Sequence, residues 1–540
     1  MRAAALALLL AGAAQAGEAP RPFHGPHFVE EAREAGLEHV YGGGWEFFVG
    51  GGAAAFDCDG DRRPDLLLAG GANPARLFVN RSATGGPLRF EARPLDALGD
   101  ELTGVLGAYP LDVDGDGLMD LAILRLGRNA LLRGLGDCRF ERADRAWRFD
   151  GGREWTAAFA ATWEAGARFP TLAFGNYVDR SAPGAPWGTC APHALHRPGP
   201  GEAPDYSTAT ELAPGQCALS LLFTDWGRLG RADLRAANDR QYHLDGEEQL
   251  WRVEPERAPR LFRRAEGWRR LKIWGMGIAE ADLDADGYPE YALTSMGDTL
   301  LQQLDPEAEP GAPTYRDIAF ARGATAHRPH VGGDLRPSTG WHAEFADFDN
   351  DGLLDLFIAK GNVEQMPDFA AFDPDSLLMG QWDGRFAEAG SQAGVALDRR
   401  GRGAAVADFN LDGMLDLLVV NREGATSLFR SLGAAPAEPP LPMGGWAMVA
   451  LEQPAPNRTA VGAELSVRIG ARTLRRVVQV GGGHASGHAG WIHLGLGVSE
   501  RAEVRVRWPD GVWSHPYRLF AGQFAVIRRG AAAPAIWSPE

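Results

Sequence analysis

The chain has 540 residues, a formal net charge of −17, 45% hydrophobic residues and 70 glycines. This length exceeds a single core of usual size, and the composition is typical of many short strands joined by tight turns. No basic stripe with interleaved aromatic residues accompanies the acidic balance, so we expect no nucleic-acid partner.

The first segment, MRAAALALLLAGAAQA, combines one Arg, an apolar run and a small-residue cleavage site. It predicts a secretory signal peptide over residues 1–16, and no other apolar run is long enough to predict a membrane span. Lysine occurs only at Lys272 and Lys360, a bias typical of a GC-rich bacterial genome. We therefore expect a secreted or periplasmic bacterial protein.

An acidic nonapeptide then occurs five times, each copy running into an apolar stretch, with side-chain oxygens at positions 1, 3, 5 and 9. The candidate ligands are Asp57, Asp59, Asp61, Asp65, Asp112, Asp114, Asp116, Asp120, Asp282, Asp284, Asp286, Glu290, Asp347, Asp349, Asp351, Asp355, Asp408, Asn410, Asp412 and Asp416.

Alternating oxygens of this kind suit Ca²⁺, which takes six to eight oxygen ligands, better than the smaller Mg²⁺. Glycine at position 6 of four copies permits a left-handed turn that brings position 9 back to the ion. An EF-hand would instead end at position 12 and continue as a helix. The pattern predicts up to five Ca²⁺ ions in loops that lead into strands.

The spacing of these loops predicts a ring of repeats. Position 1 recurs after 55 residues (57 to 112), 65 residues (282 to 347) and 61 residues (347 to 408). Two further units with decayed loops fit between them, one near Thr162 and one spanning Asp225–Asp233. Seven units of this length predict an all-β, seven-bladed β-propeller.

The N-terminal segment is expected to close the ring. Phe28 precedes Gly36 by the same eight residues that separate Phe386 from Gly394 in the sixth unit. The seventh unit lacks such a final strand, so we expect the segment near Phe28 to supply it and remove an exposed edge.

Four cysteines in an exported chain imply two disulfides with three possible connectivities. Cys190 and Cys217 bracket a Pro- and Gly-rich excursion, while Cys58 and Cys138 are placed to join neighbouring units. Free buried thiols are the alternative.

The repeats end near Leu432. We assign residues 17–432 to the propeller, 433–445 to a Pro-rich linker, 446–529 to a small antiparallel β-sandwich and 530–540 to a tail. The sandwich prediction follows from alternating strands separated by Gly, Asn and Pro turns.

The loop-plus-strand unit resembles the FG-GAP/VCBS repeat of integrin-α-type propellers. The segment NRTAVGAELSVRIG, the GGG-rich turn, LGLG and WPDG resemble the ASPIC/UnbV domain. Their combination resembles the CRTAC family, which is named for cartilage acidic protein. The resemblance implies Ca²⁺ at the five loops only. Arg62, at position 6 of the first loop, leaves the occupancy of that site open, whereas Asn410 still offers an amide oxygen.

No nucleophile–base motif is evident. His484, His488 and His493 lie in a glycine-rich turn, and His24 and His27 form a similar weak pair. A polar cluster near strand ends of the decayed units is explained best by turn-forming Asn and Asp residues, and a ligand or substrate site is the alternative; it comprises Asn176, Tyr177, Asp179, Asn238 and Asp239.

The expected function is an exported calcium-binding module that recognises a protein or a glycan. The alternative is an exported enzyme or biosynthetic accessory protein with a site on the propeller face.

Overall fold

In the computed structural model, the described residues are 25–185, 188–239, 245–325, 339–364, 373–434 and 443–539. Strands dominate, and the all-β prediction is confirmed. The helical segments are Trp45–Phe47, Asp96–Leu102, Arg264–Glu266, Ala319–Arg322 and Gly390–Ala393. No helix in these ranges is long and apolar enough to cross a membrane. The expected signal peptide, His24 and linker residues 435–442 lie outside the described residues.

Seven four-stranded units in the repeat region each run from an innermost to an outermost strand. Strand β1 is Phe28–Glu30. The first three sheets are β2 Ala53–Phe56, β3 Asp65–Leu68, β4 Arg76–Asn80 and β5 Phe90–Arg93; β6 Val105–Leu111, β7 Asp120–Arg125, β8 Ala130–Gly134 and β9 Phe140–Arg142; and β10 Thr156–Thr162, β11 Thr171–Asn176, β12 His193–His196 and β13 Ala209–Leu212.

The remaining four follow in the same order along the chain. They are β14 Ala218–Thr224, β15 Asp233–Asn238, β16 Gln249–Arg252 and β17 Arg260–Leu261; β18 Gly275–Ala281, β19 Glu290–Ser295, β20 Leu300–Leu304 and β21 Tyr315–Asp317; β22 Gly340–Ala346, β23 Asp355–Lys360, β24 Ser376–Gly380 and β25 Phe386–Glu388; and β26 Gly401–Ala407, β27 Asp416–Asn421 and β28 Ser427–Ser431 with β1.

The innermost strands contact one another in a closed cycle from β2 through β6, β10, β14, β18, β22 and β26 back to β2. Second strands such as β7 and β27 are buried throughout because each sheet is covered on both faces by its neighbours. Outer strands such as β5 expose most of their residues. The sheets therefore form a propeller-like ring.

The N-terminal strand closes this ring, as the sequence predicts. Phe28 pairs with Ser431 and Glu30 with Phe429 in an antiparallel register. A Cβ on Gly394 would lie 2.9 Å from the Phe28 carbonyl oxygen, just as one on Gly323 would lie 2.8 Å from that of Phe386. The segment therefore occupies the place of the missing seventh outer strand.

The C-terminal region forms two further sheets, ordered β33-β29-β36-β37 and β31-β30-β34-β35. Its strands are β29 Gly445–Glu452, β30 Glu464–Ile469, β31 Arg472–Val477, β32 Gly487–His488, β33 Ile492–Gly497, β34 Arg501–Arg507, β35 Tyr517–Phe520, β36 Gln523–Arg528 and β37 Ala535–Trp537. One core cluster consists entirely of residues from this region.

Two details of this C-terminal domain differ from the sequence prediction. Strands β29 and β36 pair in parallel, so the sheet is mixed and not purely antiparallel. Strand β37 pairs with β36 inside the segment assigned to a tail, so the sheet extends to Trp537. Periodicity predicts strands but carries no information on which strand lies beside which.

The glycine-rich segment Val480–Ala489, which we call the axial segment, enters the centre of the ring. Its strand β32 pairs in parallel with β2, and isolated bridges join it to the second, third and fifth sheets. A Cβ on Gly52 would lie 1.8 Å from the Ala485 carbonyl oxygen, and one on Gly107 would lie 2.1 Å from it. These ring glycines are required by the close approach of the segment.

Deleting residues 17–40 is expected to destabilise the seventh sheet, because β28 loses its outer partner and Arg430 loses Glu31, whose carboxylate lies 3.1 Å away. Hydrogen exchange of the amides at 417–420 should accelerate, while those at 121–123 in the second sheet serve as the internal control. Equal protection of 417–420 in both proteins would contradict closure by this strand.

A fragment of residues 444–539 should fold, because its core cluster is self-contained, and should melt identically in calcium and in EGTA. Met448 and Phe524 pack against ring residues in the whole chain, so the fragment should expose them together with nearby Trp491. Amide dispersion, indole emission and exchange of the axial segment are the measurements. An unfolded fragment, or one folded only in calcium, would show that the domain depends on the ring.

Candidate metal centres

The five acidic loops share one backbone shape. Position 6 is left-handed in every copy, as predicted, with φ of 67° at Arg62, 95° at Gly117, 96° at Gly287, 88° at Gly352 and 86° at Gly413. Arg62 thus adopts the geometry of the glycine that it replaces. Position 4 is left-handed as well, with φ of 87° at Gly60, 76° at Gly115, 62° at Ala285, 60° at Asn350 and 56° at Leu411.

Hydrogen bonds from backbone N–H groups to the carboxylates hold this shape. In the sixth-sheet loop the Gly352 N–H donates to Asp347 Oδ2 (2.8 Å), the Asp351 N–H to Asp349 Oδ1 (3.1 Å) and the Leu353 N–H to Asp351 Oδ1 (2.6 Å). The first three ligand positions therefore keep one oxygen occupied by the backbone and present the other to the loop interior.

Position 9 ties the loop to the rest of its sheet. Both oxygens of Asp355 accept backbone N–H groups, from Phe348 at 2.8 Å and from Gly380 on the third strand at 2.7 Å. Asp65 and Asp416 accept the equivalent pairs. The sequence predicts this carboxylate only as an ion ligand. Its second role, as an acceptor of backbone hydrogen bonds, was not predicted.

The decayed loop of the fourth sheet keeps the hydrogen bonds that shape the loop, although it has lost most of the candidate ion ligands. Asp225 still accepts the N–H groups of Leu229 (2.6 Å) and Gly230 (2.9 Å), although no carboxylates remain at positions 3 and 5. Asp233 still ties the loop to Val253 at 3.0 Å. The backbone shape therefore persists without the ligand set.

Clustered oxygens in the intact loops are electrostatically costly. Burial, and to a lesser extent the neighbouring carboxylates, raise the pKa of Asp65 to about 8, of Asp112 to about 7 and of Asp349 to about 6. A bound cation would relieve this repulsion, since it favours the charged forms.

Unpartnered oxygens show that the loops fit a hard cation. Asp282 Oδ1, Asp347 Oδ1 and Asn410 Oδ1 are buried and have no hydrogen-bond partner. Asp347 is only 1% exposed, and its ligand atom lies within 4.8 Å of those of Asp349 and Asp351. A buried polar oxygen without a partner is expensive, and oxygens are what Ca²⁺ binds.

Basic side chains distinguish the loops from one another. Arg81 lies 2.9 Å from Asp59, Arg133 lies 2.7 Å from Asp114, and Arg475 lies 3.2 Å from Asp282. Within the described ranges, no Lys or Arg nitrogen lies within 4.0 Å of the carboxylates at 347, 349 and 351. The described residues show no ion pair to the seventh-sheet loop either, but that loop has Asn410 at position 3. The loop of the sixth sheet keeps carboxylates at all four positions and is therefore the strongest candidate site.

The histidines of the axial segment have different environments. His484 Nε2 accepts the Gly50 N–H at 3.2 Å, and its Nδ1 lies 3.2 Å from the Leu219 carbonyl oxygen. Burial lowers the pKa of His484 to about 3, so it is a neutral structural residue. His493 lies outside this segment, on β33, and is half-buried; desolvation lowers its pKa to about 3 as well.

His488 instead faces a cavity of about 330 Å³ between the ring and the C-terminal domain. Its Nδ1 lies 3.7 Å from Glu344, whose other oxygen lies 3.2 Å from His342 Nε2. Because His342 Nδ1 accepts the His484 N–H at 3.1 Å, its proton resides on Nε2 and points at Glu344. Glu280 lines the same cavity, and burial raises its pKa to about 7.

The polar cluster of the decayed units is only partly brought together. The Tyr177 hydroxyl donates to Asp239, whereas Asp179 caps its own turn at Ser181. Asn176 accepts the Thr156 hydroxyl at 2.8 Å, and the Asn238 N–H donates to Glu248. These interactions fit structural roles at strand ends.

Both disulfides are present: Cys58–Cys138 joins the first sheet to the second, and Cys190–Cys217 closes the Pro- and Gly-rich excursion. This matches the expected pairing. Asp65 lies beside Cys58 and Cys138, but bonded sulfurs are not available to a metal.

Comparison with known families matches the two predicted modules. The FG-GAP-like repeat family matches residues 57–123, which contain the first two acidic loops. The ASPIC and UnbV family matches residues 453–534, which form most of the C-terminal domain.

Cartilage acidic protein 1 of Mus musculus is 27% identical over 243 residues, covering 44% of this chain and 34% of that protein. The Homo sapiens protein of the same name is 29% identical over 143 residues, covering 26% and 19%. The matched region thus spans about a third or less of the length of these relatives.

Among solved structures, BBS1N in complex with ARL6DN gives a TM-score of 0.40 at 11% identity, covering 72% of this chain and 96% of that one. Saccharomyces cerevisiae Sqt1 gives 0.37 at 12% identity, covering 77% and 99%. The fold described above rests on strand pairing and not on these similarities.

The chain thus combines an FG-GAP-like repeat with an ASPIC/UnbV domain, and together with the similarity to cartilage acidic protein 1 this combination supports a CRTAC-like family.

Proposed function

We propose that this chain is an exported recognition protein whose loops bind Ca²⁺ and whose free surface binds an acidic protein or glycan. The observation that carries the calcium assignment is the set of unpartnered loop oxygens on Asp282, Asp347 and Asn410. Export is supported by two disulfides, which persist in oxidising compartments.

Calcium in this proposal is structural. The loops retain their backbone shape through their own hydrogen bonds, so an ion would chiefly neutralise clustered carboxylates and join neighbouring turns. A ligand that binds only the native state stabilises it by about 2.7 kcal/mol at 100-fold excess over Kd.

A partner must use surface that the C-terminal domain leaves free. The stretch Arg252–Lys272 carries eight basic and three acidic residues in an otherwise acidic chain. It borders a groove of about 660 Å³ lined by Arg260, Arg263, Arg264 and Arg270. Sulfate or carboxylate groups suit such a surface because guanidinium groups bind them in paired hydrogen bonds.

Exposed ion pairs within this stretch contribute little and can be displaced. Arg260 pairs with Glu266 at 2.8 Å, and Arg257 pairs with Glu254 at 3.0 Å. Exposed pairs of this kind are worth roughly 0–1 kcal/mol. Arg263 and Arg264 have no ion pair within the described ranges, which makes them the main candidates for contact with a partner.

A second candidate function is an exported enzyme or biosynthetic accessory protein. It is favoured by the interdomain cavity, where Glu344 lies between His342 and His488. A histidine oriented by a carboxylate is a common general acid–base arrangement. A screen of small polar metabolites by thermal shift, comparing wild type with His488→Gln, tests it: a ligand whose shift requires His488 would support this function.

Chelation should lower the melting temperature of the full chain. Asp347→Asn should reduce the rise in melting temperature that calcium causes, because the substitution removes a charge but keeps an oxygen acceptor. Asp225→Asn is the matched control, since its loop lacks the ligand set; it should lower stability equally in calcium and in EGTA. Calorimetry with both variants checks this. A melting curve unchanged by thorough chelation would contradict the proposal that the loops bind calcium.

The double variant Arg263→Gln/Arg264→Gln should lose binding to sulfated or uronic-acid polysaccharides and acidic peptides by about tenfold, a loss of about 1.4 kcal/mol. Arg257→Gln, which is exposed and paired in the same stretch, should bind like wild type. Immobilised-ligand binding at two salt concentrations measures both. Equal affinities for all three proteins would refute this surface.

A further inference from the structure

The C-terminal domain lies directly on the acidic loops of the ring. Trp491 Nε1 donates to the Arg62 carbonyl oxygen at 3.1 Å, Arg458 Nε to that of Gly115 at 2.6 Å, and the Gly497 N–H to that of Asn350 at 2.8 Å. Each acceptor is a backbone oxygen at position 4 or 6 of a loop. The domain therefore depends on the conformation of the very residues that shape the candidate ion sites.

The C-terminal domain packs tightly against the loops, so neither side can shift without steric clashes. A Cβ on Gly495 would lie 1.8 Å from Asp347 Oδ2, and one on Gly413 would lie 1.8 Å from the ring of Trp446. Leu411 and Leu415 of the last loop share a core cluster with Met448 and Trp446. A small rearrangement of either loop would break apolar contacts as well as hydrogen bonds.

The position of the axial segment is linked to the same docking. It lies between β31 and β33 of the domain, and its amides bond to the ring: Gly482 N–H to the Leu221 oxygen (2.7 Å) and Gly483 N–H to the Ile278 oxygen (2.7 Å). Ser486 Oγ accepts the Ala53 N–H at 3.0 Å. Movement of the domain would withdraw these groups from the centre of the ring.

We propose that ion binding by the acidic loops and docking of the C-terminal domain are thermodynamically linked, so that loops with bound ions hold the domain and its axial segment on the ring. This inference rests on the proposed calcium binding. Without an ion, the clustered carboxylates repel one another, which raises the free energy of the loop conformation to which the domain binds. Since coupling is reciprocal, loss of a docking contact weakens ion binding.

Basic side chains of the domain weaken ion binding instead of strengthening it. Arg475 lies 3.2 Å from Asp282 and is a tethered cation that competes with an ion at that loop. The carbonyl contacts occur at three other loops, and the tight packing occurs at the sixth and seventh sheets. Arg476 and Arg472 of the domain also attract Asp347 and Asp351 electrostatically. We therefore expect favourable coupling at the loops whose backbone the domain binds, and weaker coupling where its basic side chains face the carboxylates.

The test uses the full chain. Hydrogen exchange with calcium and with EGTA should show faster exchange of the amides at 482–489 on chelation, while those at 121–123 remain protected. Calcium titration of Arg458→Gln should show weaker binding at one site by about fivefold or more, the usual lower range of such coupling. Arg468→Gln is the control, because Arg468 pairs with Glu503 inside the domain at 2.8 Å.

Gly495→Ala is a second variant directed at a different loop: its Cβ would crowd Asp347 Oδ2, so it should weaken calcium binding there although no ligand is substituted. No calcium binding by the wild type would overturn the proposed function, and this inference with it. Calcium binding with unchanged exchange at 482–489, or with equal affinities in Arg458→Gln and wild type, would overturn the coupling alone.

Discussion

The centre of the ring must be filled, and the rest of the structure depends on how this is done. Seven innermost strands converge there, and a Cβ at Gly52 or Gly107 would clash with the backbone of the axial segment. The axial segment supplies the missing atoms as backbone, using glycines and small residues, and its polar groups pair with those of the strands. Buried backbone groups need such partners. The ring and the C-terminal domain are consequently parts of one interior.

This arrangement explains the composition of the innermost strands. Strand β2 is AAAF and strand β10 is TAAFAAT, both fully buried. His484 is held between the first and fourth sheets and rests against Trp341. The tryptophan in turn stacks under Arg402, whose guanidinium lies 4.1 Å from the ring centre. These three side chains are thus each partnered, and burial keeps His484 neutral.

Local spacing was sufficient to predict much of this molecule. The loop residues, the left-handed glycines at position 6 and the closing strand follow from short-range patterns, or from the match of Phe28 and Gly36 to Phe386 and Gly394. The cysteine count predicted two disulfides but left their connectivity open. Ion binding itself stays a prediction.

The features that the sequence did not predict are set by distant contacts. The glycine-rich segment has the pattern of a turn, and nothing local indicates that it contacts strands as distant in the chain as Ile278, bridged to Gly483, and Ala53, bonded to Ser486. The parallel pairing of β29 with β36 and the seating of the domain on the loops are equally non-local. The basic stretch Arg252–Lys272 was detectable by counting charge within a window, but the net charge of the whole chain conceals it.

The pairing of β1 with β28 also constrains the order in which the molecule is assembled. Phe28 and Ser431 are partners although about 400 residues separate them, and long-range pairing of this kind folds slowly. If the chain is exported across a membrane as proposed, the first strand emerges without its neighbour and must wait until the seventh unit has followed. The axial segment follows later still. The complete interior can therefore form only after almost the entire chain has crossed, which makes the unfinished ring dependent on protection from aggregation at its open edge.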